Sequence, residues 1–323
     1  MTRSGAVLIL AGTLLLPMSS SSAQEWPTRP VRIVNTFAPG GTADILARMV
    51  ADQFSTAFSQ QFFVETRAGA GGVIGVQSVA NAPPDGYNFA ITTFSLLVIG
   101  PTTNPNIGYD PIKGLTNIAY IAGSPTVFVV NPSSGIRTLP EFVAHAKASE
   151  KPLTYGTSGV GSNGQLVVES FARKIGVKVE HVPYKGAAQS LMDLIGGHIV
   201  FAPPTLSSAA GQLRENLLTP LAHTAKERLP DYPSVPTFKE LGYSDMVATT
   251  WFALAGPAKL PQSIMEKANR EIVTLLAKPS VQTRLRETGL LTEVMTPGEF
   301  DKFIADEIVR WKPVIEQAGL IEK

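Results

Sequence analysis

The apolar positions of the chain alternate between two spacings. Strand-like runs at 31–37, 61–67 and 88–94 are separated by segments at 43–58 and 72–82, in which apolar residues recur every three to four positions. Strands that alternate with helices of this length are typical of α/β layering with largely parallel sheets. Two further strand-like runs, 117–123 and 126–131, close this first half.

The alternation starts again after Asn131. The predicted elements of this second half are helix 138–148, strand 153–158, helix 164–176, strand 177–184, helix 187–197 and strand 198–204. A proline-rich loop follows, and then a strand-like run at 247–257 and helical patterns at 263–278 and 297–319.

Two α/β halves with a C-terminal remainder predict two lobes joined by two crossings. We place the crossings near 123–126 and 248–251, with the C-terminal helices returning to the first lobe. The predicted domains are therefore lobe 1 at 24–125 plus 249–323, and lobe 2 at 126–248.

The N-terminus has the layout of a secretory signal peptide, predicted at 1–23. Arg3 gives a basic start, 5–16 is an apolar run, and Ser21, Ser22 and Ala23 form a small-residue cleavage site before Gln24. The apolar run is too short to span a bilayer comfortably. We expect the mature chain to reside outside the cytoplasm.

Composition argues against several classes of function. Arg3 is the one charged residue of 1–23, so removal of this segment leaves 27 − 1 = 26 basic residues against 26 acidic ones, which predicts no general affinity for nucleic acid. A chain without cysteine has no disulfide, thiolate nucleophile or iron–sulfur ligand. The four histidines are far apart and show no metal-ligand spacing. We predict a protein that is not an enzyme and needs no cofactor.

A strand, a loop of small residues and a helix follow one another at four places. The loops lie within 36–44, 67–75, 155–165 and 182–190. The first turn of a helix has backbone N–H groups without partners and a partial positive charge, and glycines let an anion approach them. The carboxyl ends of parallel strands meet at one sheet edge. The four loops therefore predict a shared site for an anion.

One of these loops also fits a dinucleotide-binding fingerprint. Residues 159–164 read G-x-G-x-x-G after a predicted strand, and Glu180 follows on the next strand. This leaves open a secreted NAD-dependent oxidoreductase, with Glu180 holding the ribose. Outside the cytoplasm NAD is scarce, and Ser162 stands where a P-loop has its lysine.

The motifs occur together in the order of one family. Trp26-Pro-Thr-Arg-Pro-Val-Arg-Ile, FAPGGTADILAR, GAGGVIG, PPDGY, YGTSGVGS, VPYKG and DLIGGHI cover essentially the whole mature chain. In these segments the sequence resembles the solute-binding receptors of tripartite tricarboxylate transporters, the Bug or TctC type. The resemblance implies a two-lobed periplasmic-binding-protein fold of the type II-like, Venus flytrap kind. It also implies a periplasmic receptor that closes over a small organic carboxylate and delivers it to the membrane components of a transporter.

The resemblance also implies roles for individual residues. Lobe 1 would hold one carboxylate on its first loop, with Asp44 ordering the start of the helix and Phe37 against the apolar part of the ligand. The implied contacts of lobe 1 are Phe37, Pro39, Gly40, Gly41, Thr42, Asp44, Gly71 and Gly72. Those of lobe 2 are Thr157, Ser158, Gly159, Ser162, Lys185 and Gly186. Ser95 and the segment 202–205, with Pro203 in it, are candidates for the far end of the ligand.

Two positions depart from the family pattern. Gln165 stands where a histidine is frequent, and Val200 stands where an aspartate commonly follows the D-L-x-G-G motif. The loss of that aspartate disfavours amine-bearing ligands and favours a dicarboxylate or an aromatic carboxylate. A receptor of the same fold that reports its ligand to a signalling partner stays open as an alternative.

Overall fold

The structure is a computed structural model that describes residues 26–321. The predicted signal peptide lies outside the described residues. Two five-stranded sheets organise this part of the chain, and helices pack against both, so the predicted α/β layering is confirmed. No helix within 26–321 is long and apolar enough to cross a membrane.

The strands and helices alternate along the described chain. The strands are β1 (Val31–Asn35), β2 (Phe62–Thr66), β3 (Asn88–Thr93), β4 (Leu115–Pro125), β5 (Val127–Val130), β6 (Leu153–Thr157), β7 (Val179–Pro183), β8 (Phe201–Ala202), β9 (Thr219–His223) and β10 (Thr249–Pro257). The α-helices are α1 (Thr42–Phe58), α2 (Val73–Ala80), α3 (Gly100–Thr103), α4 (Leu139–Ala148), α5 (Asn163–Ile175), α6 (Ala187–Ile195), α7 (Leu206–Arg214), α8 (Gln262–Ala277), α9 (Pro279–Glu287) and α10 (Pro297–Gln317).

The two sheets are built alike, and we call the units around them lobe 1 and lobe 2. Lobe 1 has the strand order β2-β1-β3-β10-β4 and lobe 2 the order β7-β6-β8-β5-β9. In each lobe one strand, β1 or β6, is parallel to both its neighbours, whereas β10 and β5 are antiparallel to theirs. The expectation of largely parallel sheets is therefore wrong, because an apolar strand pattern does not encode the direction of the strand.

The two crossings between the lobes lie side by side. β4 ends at Pro125, directly before β5, and Thr249 at the start of β10 is the partner of Pro125 in the sheet. Thr224 links the crossings, because its Oγ1 accepts a hydrogen bond from Thr126 N (2.9 Å) and donates one to Ala248 O (2.6 Å). The hydrogen bonds of Thr224 thus join the segments near 123–126 and 248–251, while the lobe boundaries stay a prediction.

Apolar clusters fill both lobes and continue through the two crossings near 123–126 and 248–251, which together we call the hinge. Val31, Ile33 and Phe54 belong to a core between the lobe 1 sheet and its helices, and a second cluster runs from Phe94 and Trp251 to Phe128, Phe171 and Phe238 in lobe 2. The region where the chain passes between the lobes is therefore packed with apolar side chains.

Several elements differ from the sequence prediction. The proline-rich region expected to be loop contains α7 and β9, and α9 was not predicted. β8 comprises two residues of the predicted strand 198–204, because Pro203 and Pro204 have no N–H to donate to a sheet. A π-helical turn, Ser95–Ile99, joins β3 directly to α3. α7 and the π-helical turn matter for the site, since both begin at its wall.

Candidate functional site

A cleft of about 610 Å³, its opening to solvent included, lies between the two lobes. Lobe 1 lines it with residues that follow β1 and β3 and with the start of α1. Lobe 2 lines it with the ends of β6 and β8 and with the starts of α5, α6 and α7. Thr126 and Thr250, one from each crossing, line it at the hinge. The cleft is thus formed where strand ends meet helix starts, as the glycine-rich loops predict.

Four helix N-termini surround the cleft. α1 and α6 begin after Gly41 and Gly186, and neither has a side-chain cap. α5 and α7 are capped by the hydroxyls of Ser162 and Thr205. Each N-terminus carries about half a positive charge. In α1 the first N–H, that of Thr42, donates to Ser208 Oγ of lobe 2 at 3.3 Å, whereas no N-cap side chain bonds to the first turn of α6. These two helices give the cleft a positive potential without a cationic side chain.

Among the described residues, none that lines the cleft has an ionisable side chain, and ten of the twenty carry a hydroxyl. His181 lies behind this lining, with its Nε2 at 2.7 Å from Thr157 Oγ1. Burial lowers the pKa of His181 to about 4, so the imidazole is neutral near pH 7. The cleft therefore offers hydroxyls, backbone N–H groups and helix dipoles, which bind an anion without forming a salt bridge.

Three buried polar atoms in the cleft wall have no hydrogen-bond partner. They are Thr93 Oγ1, Asn163 Oδ1 and Ser190 Oγ, on residues that are 1%, 2% and 2% exposed. Leaving such an atom unpaired costs about 1–3 kcal/mol. A ligand with polar groups, or ordered water, would satisfy these atoms, which makes the cleft the candidate binding site.

The two lobes touch across the cleft in this structure. Thr42 Oγ1 of α1 lies 2.6 Å from Ser207 Oγ, 2.9 Å from Ser208 Oγ and 3.0 Å from Thr205 Oγ1, all at the start of α7. Ala38 N also donates to the carbonyl oxygen of Lys185 (2.9 Å). These bonds join lobe 1 to lobe 2, so the structure represents a closed form.

Two glycines bring the backbones of the lobes together at the rim. Gly71 has φ +63°, and a Cβ built on it would lie 2.4 Å from the carbonyl oxygen of Val160 in lobe 2. A Cβ on Gly159 would lie 2.9 Å from the Cα of Gly71. No side chain fits between these segments, so the glycines make lobe closure sterically possible.

The structure separates the predicted site residues into two groups. Those that line the cleft are Phe37, Gly41, Thr42, Ser95, Thr157, Ser158 and Pro203. Those outside the lining are Pro39, Gly40, Asp44, Gly71, Gly72, Gly159, Ser162, Lys185 and Gly186. The ligand contacts of all these residues stay a prediction.

Some of the outer residues hold the cleft in shape. Asp44 accepts a hydrogen bond from Gly40 N (3.1 Å) and forms an ion pair with Arg48 (3.1 Å), which orders the loop before α1. Gly72 leaves room for Leu96 and Phe37. The side chain of Lys185 is exposed, and it is the backbone carbonyl of this residue that contacts lobe 1.

Sequence reasoning missed several lining residues. They are Ala43, Thr93, Thr126, Gly156, Asn163, Gly164, Ala187, Ser190, Ser208, Thr250 and Phe252, whereas Pro204 and Thr205 lie in the segment 202–205 that the sequence did single out. Asn163 could have been predicted, because it directly follows Ser162 in a predicted loop. Threonines within strands, in contrast, have no sequence signal that marks them as site residues. Val200, where the family pattern has an aspartate, lies outside the lining and packs against a core cluster.

The dinucleotide interpretation does not fit the geometry. Glu180 is the sheet partner of Thr154, whereas the strand ends meet at Thr157 and Pro183. At about 3.3 Å per residue, Glu180 lies about 10 Å before the edge at which a ribose would be held. The 159–164 loop faces Gly71 of the other lobe instead. Within 26–321, no cluster of three metal-ligating side chains is present either.

Comparison with known proteins identifies the family. A family model described as the tripartite tricarboxylate transporter family receptor matches residues 46–320. Protein BugT of Bordetella pertussis is 32% identical, over 92% of this chain and 92% of BugT. An R. palustris protein solved with adipate is 32% identical and has a TM-score of 0.88, covering 91% of this chain and 99% of that one.

A second solved structure has the same architecture. MatC of Rhodopseudomonas palustris, with bound malate, is 27% identical and has a TM-score of 0.85, covering 90% of this chain and 100% of MatC. The fold is therefore the two-lobed α/β fold of periplasmic binding proteins, as the sequence predicts. The motifs, the cleft and these similarities agree that the chain belongs to the tripartite tricarboxylate transporter receptor family of Bug and TctC proteins.

Proposed function

We propose that this protein is a periplasmic receptor that captures a small organic carboxylate between its lobes and delivers it to the membrane components of a tripartite transporter. The observation that carries the proposal is the neutral cleft, which is lined by hydroxyls, surrounded by helix N-termini and contains three unpaired polar atoms.

The lining can bind an anion reversibly, because its polar groups are neutral. A carboxylate that leaves water loses several kcal/mol of hydration, which the site has to offset. The site offsets this loss of hydration with hydroxyls, with backbone N–H groups and with the N-termini of α1 and α6, which have no side-chain cap. The dipoles of these two helices together supply about one unit of positive charge. Without a permanent cation, binding depends on closure, because groups from both lobes must converge on the ligand.

The ligand class follows from the lining and from the relatives. R. palustris proteins of this family were solved with adipate and with malate, which are both dicarboxylates. In this chain Phe37, Phe252 and Pro203 add apolar surface between the polar groups. We favour a dicarboxylate, or a carboxylate with an aromatic ring between these side chains.

Transport requires that a partner distinguish the loaded protein from the empty one. Ligand contacts made by both lobes stabilise the closed form over the open form, and a shift of this equilibrium is what a membrane component reads. The predicted signal peptide and the family support a periplasmic location for the receptor.

A thermal-shift screen tests the proposal. The purified protein is heated with dicarboxylates such as malate, succinate and adipate, with benzoate and terephthalate, and with NADH and glucose for contrast. A ligand at about 100 times its Kd adds about 2.7 kcal/mol of stability, which corresponds to a shift of about 5 °C for a chain of this size. We expect one or more carboxylates to give such a shift. A shift with NADH or glucose and none with any carboxylate refutes the proposal.

A further inference from the structure

Asn163 occupies an unusual position at the meeting point of the lobes. It is the first residue of α5 and is 2% exposed. Its backbone N–H donates to Ser95 Oγ of lobe 1 at 3.0 Å. Its side-chain Nδ2 lies 2.9 Å from Thr250 Oγ1 and 3.3 Å from Thr126 Oγ1. One residue of lobe 2 thus contacts lobe 1 and both crossings of the hinge.

The two threonines lie on the two crossings that form the hinge. Thr126 lies between β4 and β5, and Thr250 is the second residue of β10, so each belongs to one of the two chain segments that join the lobes. When the lobes rotate, the backbone of these segments must change direction. A side chain that bonds to both therefore responds to the angle between the lobes.

The same amide has an unsatisfied atom in the cleft. Asn163 lines the cleft, and its Oδ1 is buried without a partner. Because a threonine hydroxyl both donates and accepts, the amide keeps its two hinge bonds with either atom turned to the cleft. In both orientations one polar atom of the side chain has no hydrogen-bond partner. Thr93 Oγ1 of lobe 1 is also buried without a partner.

We propose that Asn163 couples occupancy of the cleft to closure of the hinge, and that it selects ligands with a polar group at the hinge end of the cleft. The proposal rests on the proposed function and names a specificity-determining residue within it. A ligand that supplies the missing partner fixes the amide, and the fixed amide holds Thr126 and Thr250 in the closed arrangement. A ligand with an apolar hinge end leaves the amide unpaired and gains less from closure.

Two substitutions separate the hinge bonds from the ligand bond. In Asn163→Asp the carboxylate still accepts hydrogen bonds from both threonine hydroxyls, and its charge is favourable at the N-terminus of α5. It nevertheless repels an anionic group in the cleft. Asn163→Leu has a similar size and removes both the hinge bonds and the ligand bond.

The absence of cysteine from the chain permits a direct assay of closure. A Cβ on Gly186 would lie 3.0 Å from Ala38 Cβ across the lobes, slightly nearer than the separation of about 3.5–4.5 Å in disulfides. Ala38→Cys with Gly186→Cys therefore forms a disulfide only in the closed form. The rate of its formation under mild oxidant reports how often the lobes close.

Cross-linking is measured in this cysteine background without ligand, with adipate, with malate, and with hexanoate, which has the length of adipate but an apolar end. Without ligand, we expect Asn163→Asp to cross-link like the parent and Asn163→Leu about tenfold more slowly, because two hydrogen bonds are lost. Adipate or malate should accelerate the parent at least tenfold, and hexanoate should not. Neither Asn163 variant should respond to any of the acids.

A matched control removes a different asparagine of lobe 2. The Asn131 amide donates to Leu194 O (3.1 Å) and Ile195 O (2.8 Å), away from the cleft. Asn131→Leu should lower the melting temperature and leave both the ligand-free rate and the acceleration by acid unchanged. This result separates coupling from a general loss of stability.

The outcomes decide the inference independently of the proposed function. If Asn163→Leu cross-links without ligand as fast as the parent, Asn163 does not couple to the hinge and the inference is overturned, whatever the acids do. If the parent responds equally to adipate and hexanoate, the selection is overturned. If no acid accelerates the parent and none shifts its melting, the proposed function fails, while the ligand-free comparison still decides the coupling.

Discussion

Gly71→Ala tests the claim that the rim glycines serve lobe closure. In the closed form the new Cβ would lie 2.4 Å from the carbonyl oxygen of Val160, whereas ordinary contacts begin at 3.4 Å, so the segments must separate by about 1 Å. The positive φ of Gly71 adds a strain of about 1 kcal/mol, but this strain is present in the open form as well. The steric clash is therefore the one effect of the substitution that raises the free energy of the closed form relative to the open form.

The magnitude follows from the cost of overpacking. Inserting a methyl group into a tight contact costs about 1–3 kcal/mol. Because ligand binds the closed form, its affinity falls by the same factor as the closed population, about 10- to 100-fold. Gly71 lies outside the cleft lining, so the ligand contacts themselves are unchanged.

Gly161→Ala is the matched control. Gly161 also has a positive φ, +72°, but a Cβ built there meets no atom within 4 Å. It should lose a similar amount of stability and keep its affinity. The assay is calorimetric titration of both variants with the acid that gives the largest thermal shift. Equal affinities for Gly71→Ala and Gly161→Ala would show that contact between the rims does not control binding.

Three further predictions concern side chains. Thr42→Val removes the hydroxyl shared with the start of α7 and should weaken acid binding about tenfold by calorimetry, whereas Thr56→Val on the exposed face of α1 should not. Glu307→Leu deprives the indole N–H groups of Trp251 and Trp311 of their acceptor and should cost about 2–4 kcal/mol in urea unfolding; a loss below 1 kcal/mol contradicts it. Burial lowers the pKa of His181 to about 4, below its unfolded value of about 6.5, so the unfolded state binds more protons between these values. Stability should therefore fall as pH falls through this range, and less so in His181→Gln; identical urea midpoints at about pH 7.5 and about pH 5 contradict it.

The sequence predicts the fold to the extent that apolar spacing reports it. α1 and α5 have clear helical spacing, and β1 and β3 are short apolar runs, so these elements were predictable within one or two residues. The antiparallel direction of β10 was not predictable, because it depends on the side from which the chain returns from lobe 2.

α7 shows how a short element is overlooked. Leu206, Ala209, Ala210 and Leu213 have helical spacing after a threonine cap, but serines, a glycine and a glutamine separate them, and prolines precede and follow the segment. The error affected the site, since α7 supplies Ser208 to the lining and both Ser207 and Ser208 to the contact with Thr42.

The site was predictable in kind and only partly in detail. Glycines before helices predicted that helix N-termini would meet in a cleft, and the structure brings those of α1, α5 and α6 there. The predicted loop 67–75 contributes no residue to the lining, and the fourth N-terminus belongs to α7, which was not predicted. The same pattern does not distinguish a glycine that admits an anion from one that admits another backbone. Gly71 and Gly159 each lie close to the backbone of the other lobe, which the sequence pattern does not reveal, and their ligand contacts stay a prediction. Asn163 and the hinge threonines have no motif, because their importance arises from contacts distant in sequence.

The most direct test of the central claim is a calorimetric titration of the purified protein with the acid that gives the largest thermal shift, beside its neutral amide. The described lining of the cleft has hydroxyls and helix N-termini and no cationic side chain, and these groups favour an anion over a neutral molecule. The acid should therefore bind as one molecule per chain, and the amide at least about a hundredfold more weakly. Equal binding of acid and amide, or saturable binding of a sugar or NADH with none of any acid, would contradict the account of this cleft as a carboxylate site.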